Sequence, residues 1–211
     1  WREAALECLN EACRRRYPLM EKLFACPSCG DLLSIVYEPT GEEPEAVRAR
    51  WRERRLSDDP LDQSGVWRFR ECLPPIAPSH VVTLREGNTP IYRARFAAQY
   101  AGVNDLLFKH LGLNPTGSFK DYGMTVAVSQ ARALGARTLL CASTGNTSAS
   151  MAAYAARGGM RAVVLIPGEN VAVGKVAQAL EYGAVTLQVK GANFDDVLRL
   201  VRELSARPDV Y

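Results

Sequence analysis

Two places in this sequence carry residues of a type and spacing suited to chemistry. The first is a cysteine cluster: of six cysteines, four stand at Cys8, Cys13, Cys26 and Cys29, while Cys72 and Cys141 are solitary. In a reducing compartment, two close thiol pairs separated by a hairpin-length stretch predict four thiolates arranged tetrahedrally around Zn²⁺. CPSCG is a good knuckle, because Pro27 and Gly30 suit a tight turn that aims backbone amides at sulfur. CLNEAC is wider than the commoner spacing, so a pair of free-thiol turns is the competing reading. Four cysteines would fill the coordination sphere, which makes such a metal structural rather than catalytic.

The second place is a pair of turns, NPTGSFKD over 114–121 and STGNTS over 143–148. Ser118 followed by Asp121 reads as a capping arrangement that puts Lys120 in the first helical turn. The positive end of the helix dipole and an apolar neighbour such as Phe119 both favour the neutral amine there. A neutral lysine is what a nucleophile, a Schiff-base former or a general base requires; a lysine that merely extends to solvent fits the same residues. STGNTS follows the apolar run TLLCA and opens a helix. Its hydroxyls, the Asn146 amide and several backbone N–H groups therefore converge on a point suited to a carboxylate or phosphate. A serine-rich N-cap with no ligand is the alternative.

Strands and helices must aim those turns. From about residue 81, short apolar or β-branched runs alternate with alanine-rich, helix-length segments. The pattern predicts strands at Leu106–Lys109, Thr138–Ala142, Arg161–Ile166 and Ala184–Val189. It predicts helices at Ser118–Leu134, Thr147–Arg157, Lys175–Tyr182 and Phe194–Ser205, with Gly158 and Gly183 at C-caps. Met124, Ala127, Ala131 and Leu134 form an apolar stripe on the first of them. Repeated βα units imply an α/β fold with a doubly wound, mostly parallel sheet over 81–211. A four-cysteine, zinc-ribbon-like segment (1–37) and a charged linker with one surface helix, Ala46–Leu56, (38–80) would precede it. In such folds ligands gather beyond the carboxyl ends of strands, where both turns lie.

Composition narrows the function classes. The 211 residues are 47% hydrophobic and 23% charged, which excludes disorder and collagen-like repetition. The balance of 26 basic and 23 acidic residues, +3, gives no argument for nucleic-acid or membrane binding and is compatible with a phosphorylated small substrate. RARWRERR interleaves an aromatic among arginines, but Glu53 and acidic flanks make it a solvated helix face. No apolar run reaches the ~18 residues of a membrane span, and WREAALECLN lacks a signal-peptide pattern, so a cytoplasmic location is expected. No GxGxxG follows a strand, and GENVAVGKV departs from P-loop spacing, so nucleotide binding is poorly supported. The chain opens on Trp1 and closes on Tyr211 after a helix-like segment, and we expect it to be the first part of a longer catalytic chain.

Four blocks, EGNTP (86–90), KHLGLNPTGSFKDYGMT (109–125), ASTGNTSAS (142–150) and GKVAQALEYGA (174–184), carry a family resemblance. Across about 80–195 the sequence resembles the threonine synthases, pyridoxal-phosphate enzymes of fold type II. The cysteine segment is similar to one that precedes the catalytic region in many bacterial and archaeal members. SFKD alone would also fit threonine or serine dehydratases. Two positions depart from the family pattern: Leu111 replaces an acidic residue after KH, and Tyr122 replaces the arginine of SFKDRG. These departures leave a related lyase, or a noncatalytic zinc-ribbon interaction protein with a degenerate α/β domain, as alternatives.

The resemblance implies that Lys120 carries pyridoxal phosphate and then moves protons at the α and β carbons of O-phosphohomoserine. It implies that Asn146 hydrogen-bonds the cofactor's phenolic oxygen, that Ser143, Thr144 and Thr147 hold the substrate carboxylate, and that Lys175 contacts the substrate phosphate. Thr89 would shape the rim. A homodimer, and a cofactor-phosphate loop beyond Tyr211, are implied as well; without that loop this stretch would bind the cofactor weakly or not at all.

Overall fold

The structure, a computed structural model, describes residues 3–168 and 173–211, the side chains of 173–175 excepted. An antiparallel sheet of order β2-β1-β3 comes first, built from β1 (Ala4–Cys8), β2 (Arg16–Pro18) and β3 (Leu33–Tyr37). Cys8 ends β1, and the connections between the strands carry Cys13, Cys26 and Cys29. Helix α1 (Pro44–Arg54) starts on a proline at its first turn, where the missing N–H costs nothing. Apart from Val47 it buries little, as the surface-helix reading expected.

Residues 60–72 differ from a linker. Here α2 (Pro60–Gln63), a 3₁₀ segment over Trp67–Cys72 and the turn between them bury Trp67 and Ser64 completely, and Asp62, Arg68 and Glu71 almost so. The sequence reading of 38–80 as charged and superficial therefore fails for this stretch. The reason is pairing of the acids with basic and indole donors. Arg54 donates to both oxygens of Glu71 at 2.6 and 2.9 Å, Trp51 Nε1 donates to it at 3.0 Å, and Arg70 lies 2.6 Å from Asp62. Two further arginines of RARWRERR are paired with acids, Arg50 with Glu42 and Glu71, and Arg52 with Glu45.

The α/β part begins with β4 (Ile91–Arg93), α3 (Arg95–Ala101) and β5 (Leu107–Lys109). Expected as a strand of the parallel sheet, β5 instead pairs antiparallel with β4 in a separate two-stranded sheet. A three-residue run does not disclose its partner. The site-bearing elements follow: α4 (Lys120–Ala133), β6 (Thr138–Ala142), α5 (Asn146–Gly158), β7 (Arg161–Pro167), α6 (Val173–Glu181), β8 (Val185–Val189) and α7 (Phe194–Leu204). Strands β6, β7 and β8 pair in parallel in that order, and Tyr211 adds to the free edge of β6 through bonds to Leu140 N and Thr138 O at 2.8 Å.

Period two puts Ala162, Val164 and Ile166 on one face of β7, where they share a core with Val128 and Ala131 of α4, Met151–Ala155 of α5, and Val176 and Ala179 of α6. Leu165 points the other way, and α7 covers that side with its fully buried Val197. Helices thus lie on both faces, as a doubly wound sheet requires. The left-handed cap after α5 is Gly159, at φ 68°, rather than Gly158, which remains helical.

Burial opposes ionisation of Glu71, but the bonds from Arg54, Trp51 and Arg50 outweigh it and bring its carboxyl down to about 2. Because that value lies below the ordinary 4.5, the pairing contributes in full above pH 4.5 and is lost as pH falls from 4.5 through about 2. Urea midpoints should fall across that window, and Glu71→Gln should flatten the fall while lowering stability at neutral pH.

Candidate functional site

Lys120 is the first residue of α4, as its sequence placed it, and is half-buried. Its Nζ stands 4.8 Å from the ring centroid of the preceding Phe119. Among the described residues no carboxylate comes within salt-bridge distance of it. The amine thus stands at the positive end of a helix and beside a ring, a place suited to a group that carries a carbonyl compound.

The capping arrangement expected of Asp121 is not what forms. Ser118 does accept from Lys120 N, at 3.2 Å, but Asp121 turns inward, is fully buried, and accepts from Thr116 N at 2.8 Å, from the Thr116 hydroxyl and from Ser150 Oγ at 2.6 Å. Since Ser150 belongs to the second turn of α5, this carboxylate ties the lysine turn to the helix that begins at STGNTS. A third element joins there: Gln178 of α6 donates to Thr116 O at 3.0 Å.

At the start of α5, Gly145 is the N-cap and no side chain caps the first turn. Ser148 N and Ala149 N reach Gly145 O, while Ser148 Oγ also donates to that carbonyl at 2.8 Å. Ser143 Oγ accepts from Gly145 N at 3.3 Å. Asn146 is exposed on the first turn, with Thr144 and Thr147 half-exposed beside it. The turn therefore keeps free N–H groups next to hydroxyl and amide side chains, the composition of an anion site rather than of a self-satisfied cap. Lys175 lies on the first turn of α6, but its side chain falls outside the described residues.

A second buried carboxylate, Glu86 of EGNTP, is fully enclosed. It accepts from Tyr154 Oη of α5 at 2.7 Å, from Thr83 Oγ1 at 3.1 Å, from Leu84 N at 3.2 Å and from the Ser64 hydroxyl. Burial and the negative charge of Glu86 push the Tyr154 phenol well up, which keeps it a donor. Next along the loop, Thr89 Oγ1 lies 3.4 Å from Tyr122 Oη, so the tyrosine that departs from the family pattern joins α4 to this loop. Leu111 sits in a short 3₁₀ turn whose carbonyl accepts from Asn114 Nδ2 at 2.9 Å. The sequence reading missed Asp121 and Glu86 as ties between segments.

In the cysteine cluster all four sulfurs lie within 4.8 Å of one another. Cys8 and Cys29 Sγ are 3.4 Å apart and Cys13 and Cys26 Sγ 3.8 Å, too far for disulfides and near the ~3.8 Å edge of a tetrahedron with ~2.3 Å metal–sulfur bonds. The bond with Tyr17 draws the Cys26 thiol down to about 6, whereas burial pushes Cys8 up to about 12.

Asp121 supplies two oxygens to three donors, whereas asparagine would present one oxygen and turn N–H groups toward donors. Asp121→Asn should destabilise the fold by about 2–4 kcal/mol and Ser150→Ala by about 1–2 kcal/mol, read from denaturant midpoints.

A sequence model of the family "Pyridoxal-phosphate dependent enzyme" matches residues 82–211, which include both turns. The threonine synthase of Methanocaldococcus jannaschii is 45% identical over 199 residues, covering 94% of this chain and 47% of that protein. That of Methanosarcina acetivorans is 42% identical over 206 residues, covering 98% of this chain and 47% of that protein. The Mycobacterium leprae enzyme is 52% identical over 138 residues, covering 65% of this chain and 38% of that protein. The chain thus spans about half the length of the first two relatives. Escherichia coli diaminopropionate ammonia lyase, in its apo form, shares the fold with a TM-score of 0.51 at 20% identity, covering 62% of this chain and 44% of that one. With the family match extending over more than half of its residues, this chain belongs to the pyridoxal-phosphate dependent enzymes.

Proposed function

We propose that the protein carrying this chain is a threonine synthase that converts O-phosphohomoserine and water to threonine and phosphate. The observation that carries the reading is the pairing of two helix starts: a lysine amine with no described counter-ion opens α4, and an uncapped N-terminus opens α5, the two tied through Asp121 and Ser150. The residues present suit pyridoxal phosphate, because a free amine and an outward-facing amide, Lys120 and Asn146, are the groups its aldehyde and phenolic oxygen require. When bound, that cofactor supplies an electron sink for carbanion chemistry.

The protein's own groups do the rest. Lys120 holds the cofactor and then takes a proton from the substrate's α carbon and assists removal of one at the β carbon. Asn146 would hold the cofactor's phenolic oxygen through its side-chain amide. Ser143, Thr144 and Thr147, with the free N–H groups of the first turn of α5, hold the α-carboxylate at the positive end of that helix. Lys175 neutralises the phosphate at the far end of the substrate, so both anionic ends are clamped and the bond to be broken is oriented. A dehydratase acting on serine or threonine has no need of that second clamp.

We assign Zn²⁺ to Cys8, Cys13, Cys26 and Cys29 in a closed, structural site, supported by the sulfur spacing. We also assign the protein to the cytoplasm, as a homodimer. Among the described residues no helix is long and apolar enough to cross a membrane.

Borohydride reduction of the full chain with pyridoxal phosphate should trap the cofactor on Lys120, and Lys120→Ala should abolish trapping and lower turnover by about 10³-fold or more. Lys175→Ala should lower kcat/KM for O-phosphohomoserine by about tenfold or more and leave reaction with unphosphorylated serine unchanged, whereas no loss of turnover in the variant would favour a dehydratase. Metal analysis should return about one zinc per chain, and a metal-free preparation would refute that assignment.

A further inference from the structure

Residues 63–67, from the last residue of α2 to the first of the 3₁₀ segment, carry a set of cross-links that the proposed chemistry does not use. Ser64 is fully buried and stands between two loads: its hydroxyl donates to Glu86 and accepts from Val66 N and Trp67 N, each at 3.1 Å. Gly65 lies flat against the EGN turn, donating from its N–H to Glu86 O at 2.6 Å. A Cβ there would meet Asn88 N at 2.4 Å and Gly87 Cα at 2.7 Å, so only glycine permits this approach. Asn88, at φ 52°, closes the contact by donating to Gln63 O at 2.9 Å.

Trp67 then carries the same segment across to α4. Its indole N–H donates to Thr125 Oγ1 at 2.7 Å, and the Thr125 hydroxyl donates to Val82 O at 2.8 Å. Both side chains are fully buried. Thr125 is on the helix that Lys120 opens, so a shift of this bond along or around α4 is a shift of the amine. Glu86 is bonded in turn to Tyr154 of α5, the helix whose first turn is the anion site. One five-residue strap therefore grips the EGN turn and α4 directly, and α5 through one carboxylate.

We propose that Ser64 and Trp67 are positioning residues, and that the strap sets where the Lys120 amine stands relative to the 143–147 turn. The proposal rests on Lys120 being the cofactor-bearing amine. Neither residue touches the reacting atoms; each acts through Glu86 or Thr125.

The test uses Ser64→Ala and Trp67→Phe in the full chain, the second keeping a buried ring while removing the indole donor. Without cofactor, hydrogen exchange should quicken about tenfold at residues 86–89 and 118–122 and stay within about twofold across α7. With cofactor, kcat should fall about tenfold and KM change by less than about threefold, with borohydride still trapping the cofactor on Lys120. Unchanged local exchange together with unchanged kcat would overturn the proposal. So would exchange that quickens uniformly through α7, which would mark a merely structural contribution. If the unaltered chain fails to trap cofactor on Lys120, the assigned chemistry fails while the exchange pattern still decides whether the strap holds these turns.

Discussion

The site depends on two carboxylates that have been taken out of water. A buried acid is costly unless donors replace its hydration, so each becomes an anchor on which several elements must converge. Asp121 collects Thr116 and Ser150, which fixes the lysine turn to α5. Glu86 collects Thr83, Leu84, Ser64 and Tyr154, which fixes the EGN turn to the same helix further along. Helix α5 is thereby held at two heights by acids from two other segments, and its small side chains, Ala149, Ala152, Ala153 and Ala155, allow close packing between them. The geometry of the chemistry follows from this arrangement rather than from the lysine and asparagine themselves, both of which are left with little to hold them locally.

The cysteine-bearing segment is joined to this framework rather than appended to it. The Lys22 ammonium meets the carbonyls of Ser205, Arg207 and Val210, all beyond the last residue of α7. Gln130 of α4 donates to Leu19 O at 3.1 Å, and Phe24 packs on Tyr211 with ring centroids 5.7 Å apart. The stretch that follows β2 therefore touches the same helix that presents Lys120. A metal at the cysteines would stiffen a body already braced against α4 and the end of α7.

Much of the site was legible because its residues are constrained locally. Lys120 had to open a helix, since SFKD stands where a turn ends and an apolar stripe begins, and the STGNTS turn had to follow a strand of β-branched and apolar residues. The cysteine spacing announced itself for the same reason. What could not be read were relationships set by distant partners. Asp121 looked like a capping residue because that bond is local and common, but a buried hydroxyl from Ser150 and the amide of Thr116 offered more. The strand at Leu107–Lys109 carried no sign of the edge it would join, and residues 60–72 looked solvated because their charges are many and their partners lie far off in sequence.

The sequence by itself determined which residues could do chemistry, where the βα rhythm begins, and that four thiols would gather. These follow from periodicity, turn chemistry and residue type, all short-ranged. Only the tertiary structure decided that Trp67 would reach Thr125, that Ser64 would lean on Glu86, and that two acids would become anchors. Each of those outcomes turns on exchanging water for a protein donor contributed by a remote segment, and that exchange has no signature until the chain is folded.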